Sequence, residues 1–451
     1  MIAIAKSEEK PSLLSRLCEA RLHTDHLFEI LRADALYERP IAERHRLIFY
    51  LGHLEAFDWN LFRQQRSSLK SFHPSFDQLF AFGIDPVDGG LPTDRVEDWP
   101  SVAEVIRYNA RARREIDAFL ETGEQEGNGD SSTIPAATLL HVAVEHRLMH
   151  AETLAYLFHR LPYAQKFSQP QPSVATQAAG PEMVWIPDGR ATLGLSRQHA
   201  DDFGWDNEFA SHQIDVAEFL IDKFMVTNGE FLQFVLAGGY DHRMLWKESD
   251  WDWIQSQQIR CPAFWQKHDG PWTWRGMFEE VPLPLDWPVY VSHAEASAYA
   301  RWAGKSLPTE AQWHRAAYGD PSGTERIFPW GNDDRIEGRG NFHFFRWDPS
   351  PVDAFPENVS AFGLAGQLGN GWEWTSTEFA PFPGFVPFAF YPGYSANFFD
   401  GHHFVLKGGS SQTAAPLLRR SFRNWFQPHY QYVYAGFRCV SNGENGRPPQ
   451  W

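Results

Sequence analysis

The first third of the chain places apolar residues at three- and four-residue spacing, which is the period of an amphipathic helix. This pattern recurs in four long segments, at 11–31, 41–62, 102–120 and 136–161. Four such helices favour a four-helix bundle. The connection between the second and third segments, 67–100, is long and rich in Pro, Gly and Asp. A loop of that length inside a compact domain often has a function.

The pattern changes at residues 168–181, "SQPQPSVATQAAGP", which we interpret as a linker. Beyond it, Gly, Pro, Trp and short strand-like runs dominate, such as "EMVWIPDGRATLG", "HQIDVAEFLIDKFMVT", "FVLKGGSS" and "YAGFRCV". One clear helix remains, "SHAEASAYARWAGK", with Ser292 as its N-cap and Glu295 in the capping-box position.

These patterns predict three parts in this chain. Residues 1–168 form the helical bundle, residues 169–180 form the linker, and residues 181–451 form a compact, loop-rich α+β domain. A chain of 451 residues is long enough for two or three domains, each with its own core.

The amino-acid composition argues against some classes of binding partner. Aromatic residues make up 15% of the chain, with 19 Trp, which favours aromatic-lined pockets over disorder. The net charge of −17 and the lack of a basic run argue against nucleic acid or an anionic membrane as a partner. The three cysteines are far apart and form no CxxC, and we find neither a signal peptide nor an apolar stretch of about 18 residues. We therefore expect a cytoplasmic protein, a monomer or weak homo-oligomer, whose partners are small molecules.

The fourth helical segment contains His146 and His150, which lie four residues apart and hence on one face of a helix. They are either ordinary polar residues of a bundle or metal ligands. The apolar neighbours of this pair, and a third histidine, His53, in the second helical segment, favour a metal site, because bundles build such sites from facing helices. Glu145 and Glu152 are candidates for orienting the ring N–H groups.

Three neutral imidazoles leave open coordination positions on a metal. With Zn²⁺ they predict a bound water and hydrolysis or thiol activation, whereas with Fe²⁺ they leave room for O₂ and a substrate. The affinity order of the first-row metals does not choose between the two. The bundle alone therefore leaves both reactions open.

Five motifs follow in order in the second half: "LPTEAQWHRAA", "FPWGN", "GNGWEWTST", "LKGGSS" and "AGFRC". They resemble the formylglycine-generating-enzyme-type domain, a variant of the C-type-lectin fold. Most of these motifs are expected to be architecture. The first half resembles the DinB-like bundle, whose metal is held by three histidines. The resemblance therefore implies a DinB-like four-helix bundle followed by a loop-rich, C-type-lectin-like formylglycine-generating-enzyme-type domain.

Together the two halves resemble the ergothioneine sulfoxide synthase family, including its selenoneine synthase relatives. The resemblance implies iron(II) bound by His53, His146 and His150, with O₂ as co-substrate. It also implies hercynine, which is trimethylated histidine, as the substrate, joined at imidazole C2 to a sulfur or selenium donor. The family's "RNW" segment, which holds the trimethylammonium end, matches Asn424 and Trp425, and an aromatic face does attract a quaternary ammonium.

The chain departs from the mycobacterial type of this family around the sulfur donor. There an Asp follows "RNW" and binds γ-glutamylcysteine with two arginines of the long bundle loop, but here the next residue is Phe426. The loop at 82–99 contains one basic residue, Arg95, and is otherwise acidic, so it would bind a dianionic dipeptide weakly. The Gln that precedes the last histidine ligand is replaced by Met149.

The active-site Tyr pair of the mycobacterial type aligns with Phe388 and Tyr391, so that Tyr391 or Tyr394 is left to supply any proton. These departures favour cysteine, a thiosugar or a selenosugar as the donor. Our prediction is a selenoneine synthase that uses a selenosugar. The alternative is an ergothioneine-type sulfoxide synthase that uses cysteine or another small thiol.

Three other functions stay open at this point. A zinc-dependent DinB-like thiol transferase or hydrolase would use the same three histidines. A formylglycine-generating oxidase needs a pair of cysteines, whereas Tyr434 stands five residues before Cys439. A non-catalytic lectin-like binding protein would leave the histidines unexplained.

Overall fold

The computed structural model describes residues 11–81, 90–121, 134–176, 180–197 and 203–441. The chain divides into two compact units, Met1–Gln169 and Pro170–Trp451. The first unit is helical, and the second combines short helices with small sheets, as the sequence predicts. None of the described helices combines the length and the apolar character needed to cross a bilayer.

The first unit is a bundle in which α1 packs against α5, and α2 packs against both α4 and α5. All four predicted segments form helices, and a short additional helix, α3, follows the end of α2. The helices are α1 (Leu13–Glu29), α2 (Leu47–Gln65), α3 (Pro74–Leu79), α4 (Val102–Glu121) and α5 (Ala136–Arg160).

The bundle core contains a buried network of ion pairs as well as apolar side chains. Arg147 of α5 donates to Glu55 Oε1 at 2.9 Å and to Asp58 Oδ2 at 2.7 Å, both on α2. Arg113 of α4 also pairs with Glu55, and it makes two hydrogen bonds of 2.7 Å with Asp25 of α1. This network ties four helices together, because a buried charge is tolerated only beside its partner.

The second unit is built from short elements around several small sheets. The strands are ordered β10-β9-β8-β11, β1-β4-β12, β5-β6-β7 and β2-β3. The helices are α6 (Asn228–Leu236), α7 (Glu248–Ser256), α8 (His293–Trp302) and α9 (Glu310–Tyr318). The strands are β1 (Met183–Ile186), β2 (Gly189–Leu193), β3 (His212–Val216), β4 (Phe219–Asp222), β5 (Trp265–Lys267), β6 (Trp272–Arg275), β7 (Glu280–Pro282), β8 (Gly371–Glu378), β9 (Phe404–Gly409), β10 (Asn424–Phe426), β11 (Ala435–Gly436) and β12 (Val440–Ser441).

The helix predicted in this unit is confirmed as α8, with Ser292 as its N-cap and a complete capping box. The sequence did not predict α6, α7 and α9, which have nine residues each and are too short for a clear helical period. Two of the three begin at capping boxes that could have identified them, at Thr227 in α6 and Thr309 in α9.

Residues of the sequence motifs make buried contacts with one another inside the second unit. Glu373 of β8 accepts two hydrogen bonds from Arg438 Nε, at 3.0 and 2.8 Å, and one from Trp313 Nε1 at 2.8 Å. In "LKGGSS", Gly408 has a φ of 93°, and a Cβ there would lie 2.6 Å from the carbonyl oxygen of Gln367. These contacts agree with an architectural role for most of the five motifs.

The first described residues after the unit boundary pack on the second unit. The Gln171 amide makes two hydrogen bonds with Asp348, at 2.8 and 3.1 Å, and Thr176 donates to Asp353 at 3.3 Å. The start of the predicted linker is therefore held in place by side-chain hydrogen bonds.

Candidate functional site

Three histidines of the bundle converge inside the first unit. His53 lies on α2, and His146 and His150 lie on α5. One ring nitrogen from each lies within 4.8 Å of those of the other two, and all three side chains are buried. The sequence-predicted trio is therefore brought together by the packing of α2 against α5.

A backbone carbonyl orients His53. Its Nδ1 lies 2.7 Å from the carbonyl oxygen of Phe80, so this nitrogen carries the proton and donates, and Nε2 keeps its lone pair. The close approach of Phe80 depends on Gly52, where a Cβ would lie 2.5 Å from the Phe80 ring. Neither residue was predicted from the sequence, although a glycine inside a helical pattern indicates a close contact.

The other two histidines have ring nitrogens without hydrogen-bond partners among the described residues. This holds for Nδ1 of His146 and for both nitrogens of His150. Burial lowers the pKa of His53 to about 4 and lowers the pKa values of His146 and His150 well below the ordinary value. Three neutral imidazoles with available lone pairs fit a divalent transition metal, which would satisfy these otherwise costly buried atoms.

Aromatic residues of α2 enclose the histidine cluster. Phe57 stacks on His146 with ring centroids 3.4 Å apart, and Phe49 stacks on His53 at 4.8 Å. Tyr50 lies beside His150 at 5.9 Å. These rings restrict the imidazole rotamers and exclude water from that side of the site.

Glu145, Glu152 and Met149 also lie on α5, next to the histidines in sequence. Both glutamates are buried, but at about 100° per residue they face away from the side of the helix that carries His146 and His150. Met149 is half-buried. The orienting role of the glutamates and the substrate contact of Met149 stay predictions.

In the second unit, Trp425 sits in an aromatic cage. Asn424, Trp425 and Phe426 form β10, which pairs antiparallel with β9. The Trp425 ring stacks on Phe379 at 4.2 Å, while Tyr394 and Phe398 approach it at 5.5 Å. Such a surface of π faces attracts a quaternary ammonium group. Phe379 and Phe398 were not predicted, since they are distant from "RNW" in sequence.

The predicted tyrosines surround a residue that the sequence analysis missed, Trp205. Its ring stacks on Tyr394 at 3.9 Å and lies 6.5 Å from Tyr391 and 6.4 Å from Phe388. Burial, together with the nearby Asp206 carboxylate, raises the pKa of Tyr391 to about 12. Tyr391 therefore keeps its phenolic proton at neutral pH.

The loop at 82–99 is the one that the resemblance links to the sulfur or selenium donor. Residues 82–89 lie outside the described residues. In the described part, the carboxylate of Asp94 binds side chains of the same unit. Asp94 accepts hydrogen bonds from Arg39, from Arg46 Nε at 3.0 Å and from Trp99 Nε1 at 2.7 Å. Arg95, the loop arginine noted from sequence, is exposed, and its backbone N–H donates to Asp98. The bundle therefore supplies two further arginines here, but Asp94 already binds both.

Comparison with protein families covers almost the whole chain. Residues 168–443 match the sulfatase-modifying factor enzyme 1-like domain, and residues 16–154 match the DinB superfamily. The hercynine oxygenase of Mycolicibacterium smegmatis is 37% identical over 307 residues, covering 66% of this chain and 70% of that protein. This chain belongs to the ergothioneine sulfoxide synthase and selenoneine synthase family. The predicted fold class and family are confirmed.

Two further relatives match different shares of this chain. The hercynine oxygenase of Mycobacterium tuberculosis is 41% identical over 237 residues, covering 52% of this chain and 55% of that protein. Ergothioneine biosynthesis protein 1 of Neurospora crassa is 27% identical over 500 residues, covering 91% of this chain and 55% of that protein. The chain thus spans little more than half the length of these two relatives.

Proposed function

We propose that this protein is an iron(II)- and O₂-dependent enzyme that joins a chalcogen donor to imidazole C2 of hercynine, and that the donor is a selenosugar. The observation that carries the proposal is the buried cluster of His53, His146 and His150, in which Nδ1 of His146 and both ring nitrogens of His150 lack a hydrogen-bond partner among the described residues. Relatives named hercynine oxygenase and ergothioneine biosynthesis protein 1 support hercynine as the substrate.

Iron bound by the three histidines would activate O₂ and leave positions for the chalcogen atom and the substrate. The protein contributes geometry. The Phe80 carbonyl fixes the His53 tautomer, and the Phe57 and Phe49 rings hold the imidazoles and keep water away.

The aromatic cage of the second unit supports a trimethylammonium substrate. The half-buried Trp425 ring, with Tyr394 and Phe398 at 5.5 Å from it, is proposed to receive the cation on an aromatic face, and Asn424 begins the same strand. Tyr391 is the proposed proton donor, because its phenol is protonated at neutral pH; its raised pKa of about 12 makes it a weaker acid than an ordinary tyrosine, so it would give up the proton only to a strong base. Tyr394 is the second candidate, since its ring lies 5.7 Å from Tyr391.

The donor is proposed to be uncharged at the end remote from the chalcogen. Asp94 already binds both Arg39 and Arg46, so an incoming carboxylate would compete with an internal one for them. Phe426, which stands where the mycobacterial type has Asp, offers no carboxylate to pair with an ammonium group. Both features disfavour γ-glutamylcysteine.

A formylglycine-generating oxidase lacks support. Burial raises the pKa of the Cys439 thiol well above its usual range, so a reactive thiolate does not form there. The other two cysteines, Cys18 and Cys261, are far from it in sequence.

A donor competition tests the proposal. Iron(II)-loaded protein receives hercynine and air with cysteine, γ-glutamylcysteine, thioglucose and selenoglucose at equal concentration, and the product masses are recorded. We expect a dominant selenium adduct. A dominant cysteine adduct would make the protein an ergothioneine-type enzyme. No hercynine adduct at all would contradict the proposed function and favour the zinc-dependent thiol transferase or hydrolase.

The variant Asp94→Asn sharpens the donor test. Removing this carboxylate's charge frees Arg39 and Arg46, so we expect the share of γ-glutamylcysteine adduct to rise by about tenfold relative to the sugar adduct. An unchanged ratio would show that these arginines do not set donor choice. The matched control is Asp98→Asn, whose carboxylate accepts from the Arg95 backbone N–H in the same loop.

A further inference from the structure

One buried carboxylate of the first unit, Asp77, belongs neither to the histidine cluster nor to the ion-pair network of the bundle. It lies on α3, and its side chain accepts three hydrogen bonds. The donors are the Tyr108 hydroxyl at 2.8 Å, Ser71 Oγ at 2.6 Å and Trp59 Nε1 at 3.4 Å. The backbone carbonyl of Asp77 accepts from Asn60 Nδ2 at 2.9 Å. This one residue therefore joins α3 to both α2 and α4.

The contacts of Asp77 matter because α3 is short. The helix has six residues, Pro74–Leu79, and a helix of that length does not persist in water without tertiary contacts. At its N-terminus the His73 imidazole accepts from the Phe76 backbone N–H at 3.3 Å. Arg63 Nε lies 3.9 Å from the Asp77 carboxylate, which is beyond hydrogen-bond distance. The neutral donors of α2, α4 and the preceding loop therefore supply the hydrogen bonds that hold α3.

Helix α3 ends directly before Phe80, the residue that orients a predicted metal ligand. The Phe80 carbonyl accepts from His53 Nδ1 at 2.7 Å. The Phe80 backbone N–H donates to the carbonyl of Phe76 at 3.0 Å, which continues the last turn of the helix. Because Asp77 precedes Phe80 by one helical turn, the contacts that hold Asp77 also set where the Phe80 carbonyl lies.

Tyr108 of α4 supports the same turn with both its ring and its hydroxyl. The ring centroid lies 5.5 Å from that of Phe76 and 6.2 Å from that of Phe80. Burial, together with the hydrogen bond to Asp77, raises the pKa of the Tyr108 phenol, so the hydroxyl stays a donor at neutral pH. A phenylalanine at this position would keep the ring packing and lose only the hydrogen bond.

We propose that Asp77 is a positioning residue of the metal site. It anchors α3 so that the Phe80 carbonyl holds His53 with its proton on Nδ1, which leaves the Nε2 lone pair for the metal. Outer partners of this kind fix the orientation of a histidine ligand and raise its basicity. The inference rests on the metal binding that the proposed function requires, and it is independent of hercynine and of the chalcogen donor.

Two measurements on the full chain test this role. The affinity for iron(II) is measured under nitrogen by competition with a chelator. The His53 tautomer of the metal-free protein is read from imidazole nitrogen-15 chemical shifts at about pH 8, where the ring is neutral. In Asp77→Ala we expect Kd for iron(II) to rise at least about tenfold, and the Nε2–H tautomer to appear beside the Nδ1–H form of the wild type.

A second variant guards against misfolding of the first. Tyr108→Phe removes one donor of Asp77 and keeps the ring, so both readouts should change in the same direction, with Kd rising by about threefold. The matched control is Asp117→Ala, which removes a carboxylate of α4 that pairs with Arg21 at 2.7 Å instead of holding α3. Its Kd and its His53 tautomer should equal those of the wild type.

The outcomes separate a positioning role from a structural one. A lower free energy of unfolding in Asp77→Ala, with wild-type Kd and tautomer, would make Asp77 purely structural and overturn the proposal. Gly52→Ala places a Cβ 2.5 Å from the Phe80 ring and should also change the tautomer. If it alone did so, Phe80 would orient His53 without help from Asp77. A wild type that bound no iron(II) would contradict the proposed function, and the tautomer would still decide the role of Asp77.

Discussion

Helices α2 and α5 together present two buried polar faces, which differ in how their polar groups are paired. His53, His146 and His150 line one face, while Glu55 and Arg147, which lie one or two residues away in sequence, line the other. On the ionic face each charged group has an oppositely charged partner within 3 Å. On the histidine face, Nδ1 of His146 and both ring nitrogens of His150 have no hydrogen-bond partner among the described residues. Two carboxylate oxygens of the ionic face, Glu55 Oε2 and Asp58 Oδ1, also lack one there, so what distinguishes the ligand site is that three neutral imidazoles converge where the other face pairs opposite charges.

The largest expected effect comes from His53→Ala. Removing one of three ligands should reduce bound iron to near zero and turnover by at least about a thousandfold, equivalent to roughly 4 kcal/mol of transition-state free energy. Metal content is measured by mass spectrometry and turnover by product mass. Circular dichroism checks that the variant folds, because it leaves a cavity and removes the hydrogen-bond donor of the Phe80 carbonyl.

The matched control for His53→Ala is His26→Ala, an exposed histidine on α1. It should keep iron and turnover at the wild-type level. If His53→Ala retained a full equivalent of iron, His53 would not be a ligand, and the distinction between the two faces of α2 would fail.

Breaking the ionic face should affect stability rather than metal. Arg147→Met leaves Glu55 and Asp58 buried without their shared cation, so the free energy of unfolding should fall by about 3–5 kcal/mol. Urea denaturation of the metal-free protein measures this change. The folded fraction of the variant should still bind iron. A decrease of less than about 1 kcal/mol in the free energy of unfolding would show that the ion-pair network does not stabilise the fold.

A buried histidine outside the cluster gives a pH-dependent effect. Burial lowers the pKa of His293 in α8 from 6.5 to about 3, and its ring stacks on Phe404 at 3.8 Å. Below pH 6.5 the unfolded chain binds a proton that the folded chain excludes, so the free energy of unfolding falls as the pH drops toward 3. The fall in the free energy of unfolding between pH 8 and pH 5 should therefore be about 2 kcal/mol smaller in His293→Gln than in the wild type. The measurement is chemical denaturation at both pH values, and identical pH dependence in the two proteins would refute it.

The smallest effect is expected at the exposed ion pair of α4. Arg111 and Glu115 lie 3.4 Å apart and are both about half exposed. Since solvent screens such pairs, Glu115→Gln should change the free energy of unfolding by less than about 0.5 kcal/mol. A change as large as that of Arg147→Met would mean that burial does not set the strength of ion pairs in this bundle.

The sequence predicted the four bundle helices, α8 with its cap, and the trio of histidines. The five ordered motifs of the second unit, through the resemblance to a known family, also predicted its fold class. The sequence missed α6, α7 and α9, because nine residues hold too few helical turns for a period to stand out. It also missed Phe80 and Trp205, since no local pattern connects them to the residues that they contact.

What the sequence determined by itself is therefore local. The spacing of His146 and His150 puts both on one face of a helix whatever the rest of the chain does. Only the tertiary structure decided that the Phe80 carbonyl, 27 residues away, fixes the His53 tautomer, and that Tyr108, 31 residues from Asp77, donates to its carboxylate. The physical reason is that helical periods arise from neighbouring residues, whereas hydrogen bonds between distant residues exist only where packing brings donor and acceptor within about 3 Å.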